Sequence, residues 1–63
     1  MKVYIEKINE FKEVEANNAK ELLNKLKINP TTVIITVNNE LVTEDFKLNK
    51  KDNVKLLSVI SGG

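Results

Sequence analysis

The residues best placed to do chemistry are the last three, Ser61-Gly62-Gly63, which follow the apolar run Val54-Lys55-Leu56-Leu57-Ser58-Val59-Ile60. Glycine accounts for about 7% of average usage, so a terminal pair arises by chance in roughly one chain in two hundred. Lacking Cβ atoms, the two glycines reach backbone angles closed to other residues and fit a channel too narrow for side chains. The Gly63 carboxylate is therefore the candidate working group, and the chemistry is expected to be done to this chain and not by it. The remaining composition points the same way. With no cysteine there is no thiol nucleophile, thiolate metal site or disulfide. With no histidine the usual general base and the commonest zinc ligand are missing. Glu44-Asp45 is an adjacent acid pair, but without a pocket or metal partner it reads as a solvated turn, so no catalytic residue of the chain's own is assigned.

The elements that must hold such a tail can be read from the side-chain pattern. Lys2 to Ile8 opens with near-alternation, the period-2 signature of a strand with Val3 and Ile5 inward. Asn9-Glu10 is read as a tight turn and Phe11 to Glu15 as the returning strand of a hairpin. Asn17-Asn18 supplies helix N-caps, with Glu21 at the capping-box position three residues beyond Asn18. Ala19, Leu22, Leu23 and Leu26 then fall at i, i+3, i+4 and i+7, one apolar stripe on a helix that covers a sheet. Asn29-Pro30 breaks that helix. Val33 to Val37 is a β-branched run that fits a well-buried strand, Asn38-Asn39 tolerates the positive φ of a hairpin turn, and Glu40 to Val42 returns alongside. Thr43 to Asn53 is read as a connecting loop anchored by Phe46 and Leu48, with Phe46 packed semi-buried over a core edge, and Val54 to Ile60 as the last strand.

Sixty-three residues make one small domain, and a chain of this size buries only about 60% of the surface its unfolded form exposes, leaving little room for a deep pocket. At 41% hydrophobic and 30% charged it reads as globular and soluble. No run approaches the ~18 apolar residues of a membrane helix and no signal-peptide pattern opens the chain, so a cytoplasmic protein with no membrane partner is expected. Ten lysines face nine acids for a formal charge of +1, scattered from Lys2 to Lys55 with no arginine. A nucleic-acid surface would cluster its basic residues, so none is expected, and Lys50-Lys51 reads as a solvated turn.

The fold class these elements support is α+β: a mixed sheet of four to five strands covered on one face by one helix. In a ubiquitin-like β-grasp arrangement the first and last strands lie parallel at the centre of that sheet. Residues 1–60 form the domain, and residues 61–63 a flexible Ser-Gly-Gly tail. Period-2 alternation with Val54 and Leu56 facing the helix sends Lys55, Leu57 and Val59 outward, where Tyr4 and Ile34 join them if their strands lie near the last. An exposed apolar patch of this kind marks a protein interface.

At this point the chain resembles the ubiquitin-like sulfur-carrier proteins, the family that includes the carriers of thiamin thiazole and molybdopterin biosynthesis. The stretch Asp52-Asn53-Val54-Lys55-Leu56-Leu57-Ser58-Val59-Ile60-Ser61-Gly62-Gly63 is similar to the family's ending of acidic turn, apolar strand and glycine pair. Val37 to Val42 resembles its hairpin and short strand, and Glu21 to Leu26 its helix. The thiamin-type carrier fits best, because Leu57-Ser58-Val59-Ile60 lacks the proline pair that often precedes the tail in molybdopterin-type members. Two positions depart from the pattern. Thr43 stands where many members have proline, and Lys50-Lys51-Asp52 replaces a more usual Asp-Gly-Asp turn, where a left-handed Lys51 would be strained.

The resemblance implies that the Gly63 carboxylate is adenylated by a separate E1-like adenylyltransferase, which supplies the Mg-ATP site while the carrier binds no cofactor. Sulfur from a persulfide donor then replaces the adenylate to leave a thiocarboxylate for a sulfur-accepting synthase. It also implies that Gly62 and Gly63 thread the activating enzyme's cleft while Ser61 and Ile60, which bind the same enzyme, set how far the tail extends from the sheet. By their outward alternation Leu57 and Val59 are read as its docking face, the alternative being that they fill the edge of a thin core. Other readings stay open: sulfur donation to molybdopterin or tRNA thiolation, a protein modifier conjugated through Gly63 to target lysines, and an interaction domain with an accidental glycine end.

Overall fold

The structure is a computed structural model, and it describes residues 1–59. Among these residues five strands form one mixed sheet in the order β2-β1-β5-β3-β4, where β1 is Lys2–Ile5, β2 Glu10–Glu13, β3 Val33–Val37, β4 Glu40–Leu41 and β5 Asn53–Ser58. β1 and β5 run parallel at the centre, with Val3 beside Val54 and Ile5 beside Leu56. β2 and β3 flank them antiparallel, and β4 closes the far edge against β3. This is the expected β-grasp arrangement, with the single helix α1, Ala19–Leu26, on one face.

The predicted stripe is what seats α1. Ala19, Leu22 and Leu23 are buried and Leu26 packs at the margin, over Val3, Ile5, Ile35, Val37, Val54 and Leu56 from alternate positions of the three central strands. Both helix ends are closed. At the start, the N–H of Ala19 donates to the Phe46 carbonyl at 3.0 Å, Lys20 to the Glu44 carbonyl at 2.7 Å, and Glu21 to the Asn18 side chain at 2.8 Å. Three donors that a helix leaves orphaned are thus satisfied, two of them by the loop and not by a cap residue. The predicted reciprocal half of the capping box does not form: the Glu21 carboxylate pairs with Lys25 at 3.5 Å. At the other end Lys27 takes φ 57° and ψ 41°, its N–H bonds the Asn24 carbonyl, and Ile28 N–H reaches the Leu23 carbonyl at 2.9 Å. That double closure is a Schellman motif, with Ile28 folded back onto the core.

Several boundaries differ from the sequence reading. β1 ends at Ile5, and Glu6–Ile8 turn into a 3-10 helix whose cap, Asn9, is left-handed at φ 52°. The hairpin therefore turns through four residues instead of an Asn9-Glu10 pair, and β2 begins at Glu10 and stops at Glu13. Pro30–Thr32 form a second 3-10 turn, in which Asn29 Oδ1 accepts from both the Thr31 N–H and its hydroxyl. β5 starts one residue early at Asn53 and ends at Ser58, so Val59 follows the strand. Phe46 keeps 39% of its surface exposed, while Leu48 keeps only 8%. Leu48 and the backbone straps to α1 anchor the loop, because Phe46 contributes chiefly its carbonyl. Lys51 takes no left-handed geometry; the 49–52 turn closes by Asp52 N–H on the Asn49 carbonyl and by Asn49 N–H on the Asp52 carboxylate. Glu44-Asp45 and Lys50-Lys51 are exposed turn residues, as read. Ile60 and the 61–63 tail lie outside the described residues.

Candidate functional site

The site is built from the end of β5 and the sheet face that α1 leaves open. On the β1 side the ladder stops at the Ile5–Leu56 pair, because the chain there turns aside into the Glu6–Ile8 helix. On the β3 side it continues to Val33–Ser58. Successive backbone N–H groups of a strand point to opposite neighbours, so Ser58 N–H faces the side where β1 has gone. The Glu6 carboxylate fills that place, accepting Ser58 N–H at 2.9 Å. Val59 N–H points the other way and donates to the Thr32 carbonyl at 3.1 Å. Two consecutive amides at the root of the tail are thereby held from opposite sides.

The open face follows from the register. Phe11, Tyr4, Lys55, Thr36 and Leu41 are aligned partners across β2, β1, β5, β3 and β4, forming one row over the width of the sheet. Leu57 and Ile34 form the next pair toward the tail. Lys55, Leu57, Tyr4 and Ile34 thus lie together as expected, with Val59, 44% exposed, just past the strand end. The Tyr4 and Phe11 rings stand 5.1 Å apart, Lys2 Nζ sits 4.8 Å from the Phe11 centroid, and Tyr4 donates its hydroxyl to Asn9 Oδ1 at 2.6 Å. Thr36 is buried in the row, its hydroxyl on the Lys55 carbonyl at 3.3 Å. Phe11 and Leu41, 62% and 74% exposed, belong to this face and were not identified from sequence. The signal for them is the cross-strand register, since alternation within β2 or β4 alone leaves both faces equivalent.

Nothing in the described residues gathers three or more metal-ligating carboxylates. A groove of about 190 Å³ beside Lys2, Tyr4, Phe11 and Lys55 is smaller than the ~300 Å³ at which small-molecule sites begin. A larger one of about 470 Å³, between Met1, Glu21, Lys25 and Lys50, lies at the opposite end of the sheet from Ser58 and is open to solvent. Its Lys25 is already engaged with the Glu15 carbonyl and the Glu21 carboxylate. No described helix is long and apolar enough to cross a membrane.

A mixed sheet with parallel central strands and one covering helix defines a ubiquitin-like β-grasp protein. The model of the ThiS family matches residues 3–63, and the chain belongs to that family. It is similar to the sulfur carrier protein TtuB of Thermus thermophilus, 39% identical over 57 residues that cover 86% of this chain and 88% of that protein. Among solved structures it is similar to a chain of the protein–protein complex of subunits 1 and 2 of molybdopterin-converting factor from Helicobacter pylori. The TM-score is 0.70 with 24% identity over 100% of both chains, which establishes the shared fold.

Proposed function

We propose that this ThiS-type sulfur carrier is a protein co-substrate, loaded with sulfur on the Gly63 carboxylate for thiamin thiazole synthesis. The observation that carries the co-substrate reading is the family match itself, which runs through Gly62 and Gly63 and not merely over the sheet, while the thiazole assignment rests on Leu57-Ser58-Val59-Ile60 having no proline pair before the tail. A free carboxylate is a poor electrophile. In the proposed sequence Gly63 attacks the α-phosphate of Mg-ATP on an E1-like enzyme and pyrophosphate leaves, giving an acyl-adenylate. A persulfide sulfur then attacks the acyl carbon and expels AMP. Attack of a thiol on the resulting acyl disulfide releases the thiocarboxylate as a new disulfide forms, and the thiocarboxylate passes its sulfur to a synthase.

Ile60, Ser61, Gly62 and Gly63 enter the activating enzyme's cleft, and Leu57 and Val59, with Ile34 beside them, dock on its surface. Exposed Ile34 and Val59, with half-buried Leu57 between them, lie next to the tail root and support this placement. The test is incubation with Mg-ATP and a candidate E1-like enzyme, followed by intact-mass detection of the adenylate. Carrier recovered from native cells should show one sulfur-for-oxygen exchange, and loss of the gene should be relieved by supplying the thiazole. Glycine-glycine remnants on target lysines would favour a protein modifier instead. A native polypeptide that continues untrimmed past residue 63 would overturn both.

A further inference from the structure

We infer that Glu6 is a positioning residue, a clamp on the Ser58 amide that fixes the point from which the tail departs; as a role in activation, this rests on the function proposed above. Inside the sheet Ser58 would receive its partner from the backbone of β1, but β1 leaves the ladder after Ile5. Glu6 is the first residue of the departing turn, and its carboxylate returns to take the N–H that the turn abandons, at 2.9 Å. A carboxylate is a charged acceptor and bonds an amide more strongly than a neutral carbonyl does.

Thr32 holds Val59, the last described residue, from the β3 side at 3.1 Å. Four residues remain to Gly63, and an extended chain gains at most about 3.6 Å per residue, so the carboxylate is delivered within about 14 Å of that point. Without the Glu6 bond the strand end is tied from the β3 side alone, and the direction in which the chain leaves the sheet is no longer fixed from both sides. A partner that must place one carboxyl oxygen in line with a phosphorus then meets a wider spread of tail positions, and misplacement by ~1 Å is enough to matter. Together with the Val59 tie the clamp acts as a ruler, setting where the chain leaves the docked sheet and so how far from it the reacting carboxylate can lie.

The full-length chain allows both halves to be read. In Glu6→Ala the Ser58 amide exchanges about tenfold faster than in the parent while the Leu56 amide is unchanged, and Glu6→Gln, which keeps a side-chain carbonyl, restores most of the protection. With Mg-ATP and the E1-like enzyme, Glu6→Ala raises the KM for the carrier about fivefold or more with kcat within about twofold, and Glu6→Gln stays near the parent. The urea midpoint, measured alongside, stays put in both variants. Unchanged Ser58 exchange in Glu6→Ala overturns the clamp, and lost protection with an unchanged KM overturns its positioning role. If the parent chain is never adenylated, the proposed function falls, and Ser58 exchange still decides whether the clamp exists.

Discussion

Ile34 and Leu57 are direct partners across the antiparallel register of β3 and β5, side by side on the open face, one pair before the strand ends at Ser58. Their side chains leave the core intact when changed, because the helix-facing set is Ile35 and Leu56. If this pair is the docking centre, Leu57→Asp places a charge where a partner must exclude water. The KM for activation should rise about tenfold or more, the loss expected of a central interface residue, while the urea midpoint changes little. Leu41→Ser, at the far edge of the same face, should have a smaller effect. Equal effects of the two substitutions would remove the pair from the centre of the interface.

The core tolerates far less. Leu22 is fully buried on the inner side of α1, in the core cluster that includes Val3 and Leu56, so Leu22→Ala leaves a cavity that costs about 2–5 kcal/mol. Stability of ~0.1 kcal/mol per residue gives a chain of this length only a little more than that. Circular dichroism with urea should show Leu22→Ala largely unfolded or unfolding at a far lower midpoint.

The ends of α1 offer changes of opposite sign. Asn18→Ala removes the acceptor for Glu21 N–H and should cost about 1 kcal/mol. Lys27→Gly should stabilise by up to about 1 kcal/mol, since Lys27 sits at φ 57° where glycine is at ease and its N–H already completes the helix end. Thermal melts of the two variants, shifted in opposite directions, check both.

What the sequence made legible was whatever one local pattern decides. The Leu22–Leu23–Leu26 spacing located α1, the β-branched run Val33–Val37 located β3, and the paired asparagines located a turn in which Asn38 and Asn39 adopt φ of 53° and 69°. Ile8 misled, because an apolar residue after Glu6-Lys7 looks like a continued strand, whereas it lies exposed in a 3-10 turn stabilised by a left-handed Asn9. The place of Phe11 and Leu41 on the open face depends on which residue pairs with which, and the Glu6–Ser58 contact joins positions 52 apart in sequence. Neither relationship has a local signature. The glycine pair, by contrast, is explicit in the sequence, and the family match extends over it.

Removal of Gly63 alone separates reach from chemistry. The shortened chain still ends in a glycine carboxylate of the same intrinsic reactivity, but that group stops about 3.5 Å short of its former position relative to Val59. The missing length cannot be recovered by sliding, because Ser58 and Val59 are tied to Glu6 and Thr32 and the Leu56–Ile5 pair lies directly behind them. Adenylate formation should fall by about 100-fold or more. Gly62→Ala keeps the length and adds one methyl, so it reports the width of the partner's channel separately from the ruler. Neither change touches Leu22, Val54 or Leu56, and the urea midpoints of both variants should match the parent. If the chain lacking Gly63 were adenylated as readily as the parent, the tail would be a loose tether and the fixed departure point at Val59 would carry no role in activation.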